Sequence, residues 1–167
     1  MEKIAIVING AGGVGKDTLC DLTAKSFKVH NISTIDPIKK IAKLCGWRGE
    51  KDDKARKFLS DLKSVSVAYN DYPTEWAYKQ YKKFLKSENE VMFIHIREPE
   101  EIEKFVKKTK GAVKTLLVRG GCRMTKCNYG NASDDCVENY RYDYYYTNDK
   151  TLDVAQKEIV ELINNMK

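Results

Sequence analysis

Ile4-Ala5-Ile6-Val7-Ile8-Asn9-Gly10-Ala11-Gly12-Gly13-Val14-Gly15-Lys16-Asp17-Thr18 is the stretch whose reading decides the fold. An apolar, β-branched run (Ile4–Ile8) passes directly into Gly-x-x-x-x-Gly-Lys. Leu19, Leu22 and Thr23 follow at helical spacing. The order strand, glycine-rich loop, helix has a mechanical logic. Glycines let successive backbone N–H groups turn inward around an anion, and the helix that follows points its positive end at the same spot. Lys16 then reaches the outer phosphates of a nucleotide. Thr18 stands one place later than the usual Ser or Thr of such a loop. Four glycines within six residues are more than a plain turn requires.

At 167 residues the chain has the length of one domain, expected to run over 1–167. Hydrophobic residues make up 42% and charged residues 32%, the balance of a soluble globular protein. No apolar run approaches the length of a membrane span, and the first residues lack a signal peptide's apolar stretch. A cytoplasmic protein with no membrane partner is expected. Five cysteines (Cys20, Cys45, Cys122, Cys127, Cys136) are an odd set and are read as free thiols. The last three lack the close Cys-x-x-Cys pairing of a zinc site. The net charge of +6 is uneven, since no acidic residue occurs from Lys104 to Ser133. No DNA- or RNA-binding motif accompanies that stretch, so nucleic acid is not an expected partner. A phosphorylated small molecule needs only two or three of these cations.

Along the chain, strands alternate with helices. Lys3–Ile8 and Val29–Ile35 read as strands one and two. Helical spacing follows in Ile38, Ile41, Ala42 and Leu44, in Asp52–Tyr69, and again from Pro73 through Trp76, Tyr81 and Phe84. Val91–Ile96 is a continuous apolar run, as in a parallel strand buried on both faces. A short helix with Ile102, Phe105 and Val106 comes next, then the strand Val113–Val118. Gly120 to Val137 shows no period. Tyr140–Thr147 alternates as a fifth strand, and Leu152, Ala155, Ile159, Leu162 and Met166 line a last helix. The pattern predicts a three-layer α/β domain with five mainly parallel strands. Its ligand should lie at their carboxyl ends, where Gly10–Thr18, Asp36, Arg97, Arg119 and the residues after Thr147 collect.

A GTPase switch would need a guanine-reading Asn-Lys-x-Asp, and Thr147-Asn148-Asp149-Lys150 has the wrong order. The string Gly10-x-x-x-x-Gly15-Lys16-Asp17-Thr18 instead resembles the deoxynucleoside monophosphate kinases of phages and their bacterial relatives. Phe93-Ile94-His95-Ile96-Arg97 is similar to that family's apolar strand followed by Arg. Pro37-Ile38-Lys39 resembles its segment after strand two, and Asn148-Asp149-x-x-Leu152 the start of its last helix. The resemblance implies a P-loop NTPase fold with a five-stranded parallel sheet of nucleoside monophosphate kinase type. It implies ATP and Mg²⁺ as cofactors, and a phosphorylated acceptor, best a (deoxy)nucleoside monophosphate. Two other readings stand beside it: a hydroxyl-directed metabolite kinase of the dephospho-coenzyme A kinase type, and a nucleotide-binding regulator without catalysis. The chain departs from the family at the end of strand three, where His95 and Ile96 stand in place of an Asp that holds Mg²⁺ through water.

Roles follow residue by residue. Gly10, Ala11, Gly12, Gly13, Val14, Gly15, Lys16, Asp17 and Thr18 are expected to hold ATP, with oxygens of Asp17 and Thr18 toward Mg²⁺. Lys16, Arg97, Arg119 and Arg123 are the candidate catalytic cations, because phosphoryl transfer is mostly positioning and charge stabilisation. Asp36, Lys39, Arg56, Lys63 and Arg97 are the candidate acceptor-binding residues. Asp36 is a base if the acceptor is a hydroxyl, and Asp36-Pro37 is equally an ordinary helix start. Residues 120–137, hinged at Gly120-Gly121, are the expected lid. Tyr140, Tyr142, Tyr144, Tyr145 and Tyr146 fit strand packing better than base stacking.

Overall fold

A computed structural model describes residues 2–120 and 136–167. Five strands form one sheet: β1 (Ile4–Asn9), β2 (Val29–Ser33), β3 (Val91–His95), β4 (Lys114–Gly120) and β5 (Tyr144–Asn148). Their order is β2-β3-β1-β4-β5 and every pairing is parallel. β1 is therefore central, buried at all six positions. Its alternating side chains divide the core in two. Ile4, Ile6 and Ile8 face one layer with α1 (Lys16–Ala24) and α6 (Leu152–Met166), through Leu19, Leu22, Ile159 and Ile163. Ala5 and Val7 face the other, with α4 (Tyr72–Leu85) and α5 (Pro99–Lys108), through Ala77, Phe84, Ile102 and Phe105. Each fully buried Ile contributes about 1.5–3 kcal/mol by leaving water.

α2 (Asp36–Leu44) and α3 (Asp53–Asn70) form an arm beside the second layer. α3 starts at Asp52, whose carboxylate accepts the Ala55 N–H at 2.8 Å. This is an ordinary N-cap. Only Ala55 of α3 is fully buried, and Val65 and Tyr69 are exposed. The lysines of the acid-free stretch that fall on α5 have acids opposite them: Lys104 pairs with Asp71, Lys108 with Glu75 and Lys107 with Glu103.

The fifth strand is shorter than its alternation implies. It begins at Tyr144, not Tyr140. Asp143 stops the ladder, its carboxylate taking both the N–H and the hydroxyl of Thr115 at 2.8 Å. Upstream lies a 3-10 turn, Val137–Asn139, and Tyr142 turns its ring into the core. Tyr146 is buried within β5, as strand packing requires, whereas Tyr142 is buried from outside the strand. Strand two likewise ends at Ser33, before Ile35. The expected lid falls almost wholly outside the described residues. Gly120 ends β4 and Val137 opens the 3-10 turn.

Candidate active site

The glycine loop leaves the carboxyl end of β1 and closes on α1. Two of its glycines are demanded by their surroundings. Gly10 has φ +149°, and a Cβ there would lie 2.3 Å from the Val118 carbonyl oxygen on β4. Gly15 has φ +90°, and a Cβ there would lie 2.4 Å from Asn148 Nδ2. That same Asn148 amide donates to the Val14 carbonyl at 2.9 Å, so the end of β5 braces the loop from outside. The Leu19 N–H reaches the Gly15 carbonyl at 3.0 Å and starts the helix. Lys16 folds back over the loop, its ammonium donating to the Gly10 carbonyl and, at 2.8 Å, to that of Ala11.

The sheet sets the rest of the site against this loop. His95 closes β3 opposite Ile8 of β1 and Ser33 of β2. Its Nε2 lies 2.9 Å from Asn31 Oδ1, 3.7 Å from Cys20 Sγ and 4.0 Å from Asp17 Oδ1. Burial lowers the His95 pKa, against an opposing pull from Asp17, and so favours the neutral ring. Burial raises the neighbouring Cys20 thiol far above its ordinary range, and the Asp17 and Asp21 charges add to it, so this cysteine is inert. Two residues past His95, the exposed Arg97 begins the turn into α5. Its carbonyl accepts a hydrogen bond at 2.9 Å from Nδ2 of Asn9, the last residue of β1. Loop and Arg97 are thus tied through the central strand.

No family model matches the chain, and no curated protein matches it. Solved structures do. A tunicamycin resistance protein of Deinococcus radiodurans superposes with a TM-score of 0.61 at 12% identity, covering 97% of this chain and 96% of that one. A provisionally named kinase of Chloroflexus aurantiacus gives 0.55 at 11% identity, over 99% and 98%. The protein TT1252 of Thermus thermophilus gives 0.54 at 17% identity over the full length of both chains. What these proteins share with the chain is the fold, a five-stranded parallel sheet with helices on both faces, over nearly its whole length.

Within that fold, the predicted site residues separate into groups. Gly10 to Thr18, with Arg97, gather at the carboxyl edge of β1 and β3. Asp17 and Thr18 are exposed oxygen donors in the first turn of α1, directly after Lys16. They suit a hard cation that brings phosphate oxygens as its remaining ligands. Among the described residues no group of three or more His, Cys, Asp or Glu could hold a metal ion without such help. His95 occupies the strand end, and a neutral imidazole there adds no negative charge to the site.

Asp36 opens α2 and closes the turn after β2, its Oδ2 accepting the Ser33 N–H at 2.8 Å. One oxygen thus serves the turn between β2 and α2. Lys39 and Arg56 are exposed near the starts of α2 and α3. Lys63, the remaining acceptor candidate of α3, has partners of its own. Its ammonium lies 2.7 Å from Glu98 and 3.0 Å from Glu101, and its side chain is 16% exposed. It neutralises carboxylates at the start of α5. Arg119 also has a partner: a two-pronged pair with Glu138 at 2.9 and 2.8 Å, its guanidinium 4.7 Å from the Tyr145 ring centre. Arg123, with Cys122 and Cys127, lies outside the described residues. Two contributors are new at this point. Asn9 carries no signal in the sequence beyond its place between strand and first glycine. Asn148 is flagged by the family resemblance alone, and its grip on Val14 comes from the structure.

Proposed function

We propose that this chain is an ATP-dependent kinase that transfers the γ-phosphoryl group to a phosphorylated small molecule, a (deoxy)nucleoside monophosphate. The observation that supports the reading is the bond from Asn9 to the Arg97 carbonyl. It ties the backbone of Arg97, just past the end of the neighbouring strand, to the start of the phosphate loop, where donor and acceptor phosphates would meet. In the transfer, an acceptor phosphate oxygen forms a bond to the γ-phosphorus. The bond from that phosphorus to the β,γ-bridging oxygen breaks, and ADP leaves. Lys16 would follow the charge that builds on the bridging and γ-oxygens, and the planar fork of Arg97 would hold two oxygens at once. Mg²⁺, held by Thr18 and Asp17 with the nucleotide, would neutralise the β- and γ-phosphates. An anionic acceptor gives up no proton, so Asp36 is not required as a base.

The test is a turnover screen of ATP against nucleoside and deoxynucleoside monophosphates, dephospho-coenzyme A, and no acceptor. Transfer to a monophosphate is expected, and Lys16→Ala should lower it at least about 100-fold. Arg97→Ala should lower kcat and raise the acceptor KM, and Asp36→Asn should be milder. If Asp36→Asn is the more damaging change, with ATP binding retained in both variants, the acceptor is a hydroxyl and the monophosphate reading falls. ATP binding without transfer to any acceptor leaves a regulator.

A further inference from the structure

Asn9 is completely buried, and its amide is engaged at both ends. Oδ1 accepts the Gly10 N–H at 2.8 Å. Nδ2 donates to the Arg97 carbonyl at 2.9 Å and to the Tyr142 hydroxyl at 2.7 Å. That hydroxyl in turn donates to the Val137 carbonyl at 2.9 Å. The orientation of the amide is forced. A backbone N–H only donates and a backbone carbonyl only accepts, so exchanging oxygen and nitrogen would set two like groups against each other at both ends. The parallel ladder between β1 and β3 ends at Ile8 and His95, and Asn9 extends the connection two residues further, to Arg97.

Two consequences follow. The Gly10 N–H points into the protein and not toward a phosphate, so the anion-facing amides begin later in the loop. The start of the Arg97 turn is also fixed to the same side chain that fixes the start of the loop. We infer that Asn9 is a positioning residue for phosphoryl transfer, holding the phosphate loop and Arg97 in one fixed relation with Tyr142 as its brace. The inference rests on the transfer reading given above, and adds a residue that touches neither substrate.

Asn9→Ala, Tyr142→Phe and a remote core control, Ile163→Ala on α6, separate positioning from stability. Each is measured for melting temperature, ADP affinity by calorimetry, amide exchange at Gly10, and kcat and acceptor KM with the best monophosphate from the screen. Asn9→Ala should speed exchange at Gly10, weaken ADP about tenfold, lower kcat about 100-fold and raise the acceptor KM. Ile163→Ala should lose comparable melting temperature while keeping kcat within about twofold, because a cavity in α6 does not move the loop. If Asn9→Ala does not fold, Tyr142→Phe decides. It leaves Asn9 bonded to Gly10 and Arg97, and should lower kcat about fivefold with ADP affinity nearly unchanged. A kcat within about threefold of wild type for folded Asn9→Ala overturns the inference, as does a wild-type kcat for Tyr142→Phe. If no acceptor is found, the transfer reading has failed. Gly10 exchange and ADP affinity then judge whether Asn9 holds the loop, and no change in either overturns that role too.

Discussion

The contact between Gly15 and Asn148 shows how much of this site depends on a missing atom. Gly15 sits at φ +90°, and the space its side chain would need is filled by Asn148 Nδ2. Two separate costs therefore face Gly15→Ala. The left-handed backbone costs an alanine about 1–2 kcal/mol wherever it occurs. The 2.4 Å approach adds a clash that is relieved only by moving Asn148 off the Val14 carbonyl. Calorimetry with ADP can divide them. Gly15→Ala should weaken ADP by more than about 30-fold, and adding Asn148→Ala should restore part of that loss by opening the space, leaving the roughly tenfold backbone share. If the second substitution restores nothing, Asn148 is not what confines Gly15. At this scale the sequence is legible only in part. The glycine-lysine pattern is local, so the loop can be read from one stretch. Asn9 and Asn148 act through partners far along the chain, and nothing beside them in sequence marks which polar side chains will meet.

Between elements, the cluster that joins α3 to α5 has a charge balance of its own. Lys63 of α3 faces Glu98, immediately before α5, and Glu101 in its first turn. One cation cannot keep a half-buried and a buried carboxylate equally ionised. Glu98, the more exposed, is held below the ordinary carboxylate range by Lys63. Burial pushes Glu101 up to about 7, against the pull of Lys63 and with the Glu98 charge adding to the rise. The sign follows by linkage. Glu101 binds its proton more tightly folded than unfolded, so its contribution is fully present below about pH 4.5 and is lost as pH rises through about 7. His95 and His30 have lowered pKa values and act oppositely, favouring the folded state as pH rises. Thermal melts from pH 5 to pH 8 on wild type and Glu101→Gln isolate the carboxylate. The advantage of wild type over the variant should shrink by about 2 kcal/mol across that range, a few degrees in melting temperature. A constant difference would place Glu101 in its charged form throughout. The helices themselves were readable from their 3.6-residue spacing. Lys63 lies on such a helix, and its pairing with Glu98 and Glu101 is not legible there, because helical spacing reports which side chains are buried and not which charges they meet. Strand five was overextended for a related reason: the alternation in Tyr140–Thr147 is real, but Asp143 binds Thr115 and ends the ladder early.

Over the whole molecule, five parallel strands layered with helices are the most legible property, and the order β2-β3-β1-β4-β5 comes from the structure. Alternating strands and helices, with right-handed crossovers between parallel neighbours, leave few arrangements. The same order gives β1 partners that come much later in the chain. Ile4 to Asn9 pairs only with β3 and β4, and Ile4 meets Val91. During synthesis this strand leaves the ribosome long before either neighbour exists, as a short, uncharged, β-branched segment of the kind that self-associates. The strand that carries the phosphate loop is thus the part of the chain most in need of protection while it is being made. Chains stalled on the ribosome before Val91 has emerged should remain protease-sensitive throughout. Resistance should appear only once β3 and β4 are both outside, and earlier resistance would mean that β1 finds shelter in contacts the finished fold does not keep.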